Sequence, residues 1–144
     1  MIRDGKPLPP DIRDRFPAVA AFFQSRPDVR FAYLFGSMAR GTEGPLSDVD
    51  IAVYIDSDDP ETPLDIIGHL NNILQTDEVD LVILNTAPLT LKGKILESRE
   101  VIADNDPFFR HRFESLTMRM YWDFREVEMR ILKAKLRSHD SEAE

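Results

Sequence analysis

Apolar residues recur along this chain with two periods, and the periods alternate. From Asp11 to Gln24, Ile12, Phe16, Val19 and Phe23 fall four, three and four apart, which is a helical stripe. Pro17 sets the start of regular helix near itself. Arg30 to Phe35 is aromatic and aliphatic and stops at Gly36, the mark of a buried strand. A polar, glycine-rich loop follows, and Val49 to Ile55 reads as a second strand. Leu64, Ile67, Leu70 and Leu74 then share one helical face. Val79 to Leu84 is a third strand, Leu89 to Leu96 a short helix, and Glu100 to Ala103 a short edge strand before an Asp-Asn-Asp-Pro turn.

The last element is the longest. From Pro107 to about Leu136 a stripe of Phe109, Phe113, Leu116, Met120, Phe124, Val127 and Ile131 is expected against the core. Met118, Trp122, Met129, Leu132 and Leu136 fall on nearly the opposite face. A surface helix needs only one apolar stripe, so Met118, Trp122, Met129 and Leu132 are the candidate partner interface. The alternation predicts an α/β chain with a mixed sheet in one domain spanning residues 1–144. Its core would cover about 11–104, with the long helix over 107–136 and a disordered tail at 138–144.

Composition adds limits. The chain has 144 residues, 42% hydrophobic and 31% charged, with no cysteine. That is ordinary for a globular domain and excludes disulfides, thiolate metal sites and a cysteine nucleophile. No apolar segment approaches membrane-spanning length and the N-terminus lacks an apolar signal core, so the chain reads as cytosolic, with no membrane partner. Net charge is -8, unevenly spread. Between Gly41 and Leu91 there is no lysine or arginine but there are eleven acidic residues, whereas Arg110 to Arg137 carries eight basic against four acidic. An acidic middle repels a phosphate backbone, which argues against long nucleic acid as substrate.

The candidate chemistry lies in FAYLFGSMARGTEGPLSDVDIAVYID, residues 31–56. Gly36 and Ser37 follow a strand directly, where a glycine lets backbone approach phosphate and a serine can donate both N–H and hydroxyl. Arg40 offers a forked donor to phosphate oxygens. Asp48 and Asp50 stand two apart at the mouth of a strand, so both project to one face. Two hard carboxylates on one face suit Mg²⁺. Asp80, inside the EVDLVIL strand, reaches the same cluster if that strand neighbours the second one. There it would bridge a second metal or help deprotonate an acceptor hydroxyl.

The run GSMARGTEGPLSDVD, with Gly-Ser, ten residues and then Asp-x-Asp, resembles the signature of the polymerase-beta-like nucleotidyltransferase superfamily. The GSxARG start, the short length and EVDLVIL are similar to its minimal nucleotidyltransferase branch. The resemblance is specific from about Arg30 to Asp80. It implies a mixed sheet flanked by helices, triphosphate binding at Gly36 and Ser37, and metal binding at Asp48, Asp50 and Asp80. It also implies an antitoxin that uses Mg²⁺ and ATP to move AMP onto a tyrosine hydroxyl of a HEPN-domain ribonuclease toxin. Two alternatives stand beside this expectation: nucleotidyl transfer to a small molecule such as an aminoglycoside, and an antitoxin that acts by binding alone.

Other residues carry less. Ser37 has no histidine near it in sequence, so it is not read as a nucleophile. Asp56, Asp58 and Asp59 lack the spacing and glycine of a calcium loop and are assigned to a turn. Tyr33 and Tyr54 lie in strand patterns and are read as core or pocket wall.

Overall fold

The structure, a computed structural model, describes residues 7–44 and 47–142, with side chains described through residue 138. A 3-10 turn at Ile12–Arg15 leads into α1 (Phe16–Gln24), with Pro17 in its first turn, where a missing N–H costs nothing. Then come β1 (Val29–Phe35), α2 (Gly36–Arg40), β2 (Val49–Ile55), α3 (Thr62–Leu74), β3 (Val79–Ile83), α4 (Leu89–Ser98), β4 (Glu100–Asp104) and α5 (Pro107–Glu142).

The strands form one sheet in the order β3-β2-β1-β4. β1 runs antiparallel to β2 and β4, while β2 and β3 are parallel, joined by the α3 crossover. Strand alternation sends Ala32, Leu34, Ile51, Val53 and Ile55 to one face, under Val19 and Phe23 of α1 and Ile66, Leu70 and Leu74 of α3. The other face carries Phe31, Tyr33 and Ala52 under Ile95 and Leu96 of α4 and Phe109 and Phe113 of α5. Each fully buried side chain of this size contributes about 1.5–3 kcal/mol of transfer free energy. No described helix is long and apolar enough to cross a membrane.

Three differences from the sequence reading have physical causes. The segment after β1, expected as loop, begins with the short helix α2, because Met38 is buried beneath it and Gly41 closes it in the left-handed region at φ +70°. α5 does not stop at Leu136 but continues to Glu142, so part of the expected disordered tail is helical; residues 143 and 144 lie outside the described residues. The core-facing stripe of α5 is also rotated from the expected one. After Phe113 the covered positions are Glu114, Thr117, Met118 and Tyr121, while Leu116, Met120, Phe124, Val127 and Ile131 are exposed.

The cause of the rotation is visible at α4. The Tyr121 ring lies so close to Gly93 that a Cβ there would stand 2.3 Å from it. A glycine on α4 and an aromatic ring on α5 thus lock the two helices together. Met118, expected on a free interface, packs against the core and leaves that set.

Candidate active site

β2 lies inside the sheet, so its two registers decide what gathers at its start. Asp50 pairs with Phe35, the last residue of β1, and with Asp80, the second residue of β3. Paired residues on adjacent strands project to the same face about 5 Å apart. Asp48 precedes the strand by one residue and has the same parity. One carboxylate oxygen each from Asp48, Asp50 and Asp80 lies within 4.8 Å of the others, and all three residues are half-buried. The expected meeting of β2 and β3 therefore holds, and the three sequence-selected acids converge.

Gly36 makes that convergence possible. Its φ is +71°, and a Cβ on it would lie 2.3 Å from Asp50 Oδ2. Any larger residue would displace the carboxylate and also strain the backbone. Its N–H donates to Ser98 Oγ at 3.2 Å, tying the end of α4 to the start of α2. Ser98 carried no signal in the sequence, since it lies far from the motif at the end of an ordinary helix.

Ser37 and Arg40 stand three apart on α2 and so share a face; Ser37 is half-buried and Arg40 exposed. The α2 segment is held from outside the motif. Arg13 donates to the Met38 carbonyl at 3.1 Å and, through Nε, to Glu43 Oε1 at 2.7 Å. That guanidinium holds the Glu43 carboxyl below the usual carboxylate range. Thr42 N–H donates to the Ser37 carbonyl at 3.0 Å. Pro45 and Leu46 of the motif lie outside the described residues.

On the α4–α5 face of the sheet a charge network centres on the buried Glu114. Tyr33 donates to Glu114 Oε2 at 2.8 Å, Arg99 Nε also lies 2.8 Å from that oxygen, and Arg110 Nη1 meets Glu114 Oε1 at 2.9 Å. Arg110 Nε also pairs with Asp104 at 2.9 Å. Burial, followed by the bond to Glu114, pushes the Tyr33 hydroxyl well up, so it remains a donor. Arg99 adjoins Ser98, so this network fixes the strut that touches Gly36.

α4 and α5 run in the same direction. Gly93 meets Tyr121, and four residues on along both helices Glu97 pairs with Arg125 at 3.5 Å. Since α4 ends at Ser98 beside Gly36, α5 leaves the body at the acidic end of the sheet. From Trp122 to Ser138 every residue is exposed.

Comparison with known proteins agrees with this geometry. A family model described as Polymerase beta, Nucleotidyltransferase matches residues 18–108. No curated protein matches the chain. Among solved structures, a chain of a toxin–antitoxin complex with AMP-PNP is 24% identical with TM-score 0.67, the match covering 85% of this chain and 98% of that one. A tri-AMPylated Shewanella oneidensis HEPN toxin in complex with its MNT antitoxin provides a chain 21% identical at TM-score 0.65, covering 87% and 98%. A point variant of the MntA–HpeT toxin–antitoxin gives 26% identity at TM-score 0.65, covering 83% and 94%.

Proposed function

The chain belongs to the polymerase beta nucleotidyltransferase family, and on that premise we propose that it is an antitoxin-type adenylyltransferase. It would move AMP from ATP to a tyrosine hydroxyl of a cognate HEPN-domain toxin, silencing it in the cytoplasm where ATP is available. The observation that carries this reading is the convergence of Asp48, Asp50 and Asp80, with Asp50 against Gly36, inside the segment matched to the family. The partner is supported by the structural neighbours, whose chains come from toxin–antitoxin complexes, one with AMP-PNP and one with a tri-AMPylated HEPN toxin.

The roles follow from chemistry. Three carboxylates within 4.8 Å concentrate negative charge that attracts a cation, and an all-oxygen donor set fits a hard divalent ion. Asp48, Asp50 and Asp80 would hold Mg²⁺, which when bound neutralises triphosphate charge and the departing pyrophosphate. Gly36 and Ser37 bring backbone and hydroxyl donors to the triphosphate, and Arg40 brings a guanidinium. The acceptor oxygen attacks the α-phosphorus, the bond to the bridging oxygen of pyrophosphate breaks, and the hydroxyl proton passes to Asp80 as general base. The acceptor docks on α5, which carries its apolar residues away from the body at the acidic end.

The test incubates the purified protein with its purified HEPN toxin, Mg²⁺ and [α-³²P]ATP before a denaturing gel. A labelled toxin band that disappears with chelator and with toxin tyrosine-to-phenylalanine variants is expected. An unlabelled toxin that is nonetheless inhibited would replace transfer by neutralisation through binding. Label on a small acceptor instead would overturn the protein-substrate reading.

A further inference from the structure

The exposed length of α5 has a second regularity. Trp122, Arg125, Met129, Leu132 and Leu136 are spaced three, four, three and four apart, the a and d positions of a coiled-coil heptad. Trp122, Met129, Leu132 and Leu136 are 52%, 47%, 49% and 58% exposed. Arg125 interrupts the seam only in name. It turns back onto its own body, pairing with Glu97 and lying 5.8 Å and 5.7 Å from the rings of Tyr121 and Trp122. An apolar seam of this length on an exposed helix calls for a covering partner.

We propose that this seam is covered by a second copy of the chain, with the two α5 helices running antiparallel. The charge pattern names the occupant. Residues 122–129 carry Asp123, Glu126 and Glu128 against Arg125, whereas residues 130–137 carry Arg130, Lys133, Lys135 and Arg137 with no acid. An antiparallel pair lays each acidic half on the other copy's basic half; a parallel pair would stack basic on basic.

One register satisfies the centre of the seam. It places Met129 against the second copy's Leu132, with Leu136 level with Arg125, whose guanidinium lies on its own Glu97. It brings the flanking e positions, Glu126 and Lys133, together across the seam, and likewise the g positions, Glu128 and Lys135. The two-fold axis repeats each pair. Glu126 also pairs with Arg130 on its own helix at 3.0 Å, but both are more than two-thirds exposed and the bond is weak. Phe124, Val127 and Ile131 lie on the other side of the helix, which leaves that stripe to the acceptor protein. The proposal needs no nucleotidyl transfer, so its fate and that of the enzymatic reading are separate.

Sedimentation equilibrium of the full chain tests it. The wild type should be a dimer, and Met129→Glu a monomer with unchanged circular dichroism. Glu126→Lys should weaken the dimer by about tenfold or more through like-charge contacts, and the double variant Glu126→Lys/Lys133→Glu should restore it. Val127→Glu, on the other stripe, should leave the dimer intact. A monomeric wild type overturns the proposal, including one whose seam is covered only when the HEPN toxin is added. So does a double variant as weak as the single, or a dimer lost with Val127→Glu but kept with Met129→Glu.

Discussion

The two ends of the sheet use the same residue type for opposite purposes. At the end where β1 begins, aspartates meet arginines: Arg26 holds Asp28 at 2.8 Å and Asp65 at 2.6 Å, and Arg30 holds Asp106 at 2.8 Å and Asp56 at 3.3 Å while covering the Phe109 ring at 4.4 Å. Arg26, Arg30, Asp56 and Asp106 help line an open cavity of about 650 Å³, and each of these charges is paired within the chain. At the end where β1 finishes, Asp48, Asp50 and Asp80 meet one another. One end pairs aspartates with arginines; the other brings three aspartates within 4.8 Å of one another, and it is there that the proposed function places a cation.

Removing acids from the two ends should therefore register in different assays, and the largest expected effect is at the converging end. Asp48→Ala/Asp50→Ala should lower AMP transfer by about a thousandfold or more, measured by label incorporation, because the cation site is lost. Thermal stability should change far less than transfer does, both residues being half-buried at one end of the sheet. A melting temperature lowered by several degrees would show that these acids, too, hold the fold together, and the contrast would fail.

Glu114 sharpens the contrast from between the two ends. It is a buried carboxylate matched by Arg99 and Arg110 and by the Tyr33 hydroxyl. Glu114→Ala leaves two guanidiniums and a hydroxyl without that partner and should cost about 3 kcal/mol in urea unfolding. Glu114→Gln should recover part of it by still accepting from Tyr33. If alanine is tolerated at no cost, the matched carboxylates are not what stabilises the sheet.

Gly36→Ala comes next. The left-handed φ costs an alanine about 1–2 kcal/mol, and the new Cβ would collide with Asp50 Oδ2. A displaced carboxylate should cut AMP transfer about a hundredfold, with the stability loss confined to the strain. An active Gly36→Ala protein would mean that Asp50 need not occupy this position.

The strands were legible because their signal is local: β2 is the run Val49–Ile55 that alternation picks out, and β1 and β3 differ by one residue. Asp48, Asp50 and Asp80 were legible because aspartate inside an apolar run has few structural excuses. What could not be read depends on distant partners. Met38 turns a glycine-rich loop into a helix only because a core lies beneath it. Ser98 matters only because α4 ends beside Gly36. The rotation of α5 is set by Tyr121 against Gly93, a contact that no periodicity within α5 records. The arginine-matched end was equally hidden, since Asp28, Asp56 and Asp106 look in sequence like ordinary turn residues.

That end supplies the smallest effect and the clearest sign. The hydrogen bond from Arg26 holds the Asp28 carboxyl below its usual value, against the opposing effect of burial. A carboxyl depressed in the folded state adds stability that is present above the unfolded value of about 4 and is lost as pH falls through the folded value. Arg26→Ala should therefore lower stability at neutral pH by about 1 kcal/mol, the pair being partly exposed. The deficit should shrink below about pH 4, so that the wild-type and variant curves converge in acid. AMP transfer per folded molecule should not change. Urea unfolding across this pH range, run beside the label assay, checks both halves. Parallel curves would place the cost in the lost contact of the Arg26 guanidinium with the Phe22 ring, its Cζ 5.5 Å from the centroid, rather than in the pairing with Asp28. A fall in transfer would couple the two ends of the sheet that the rest of the structure keeps apart.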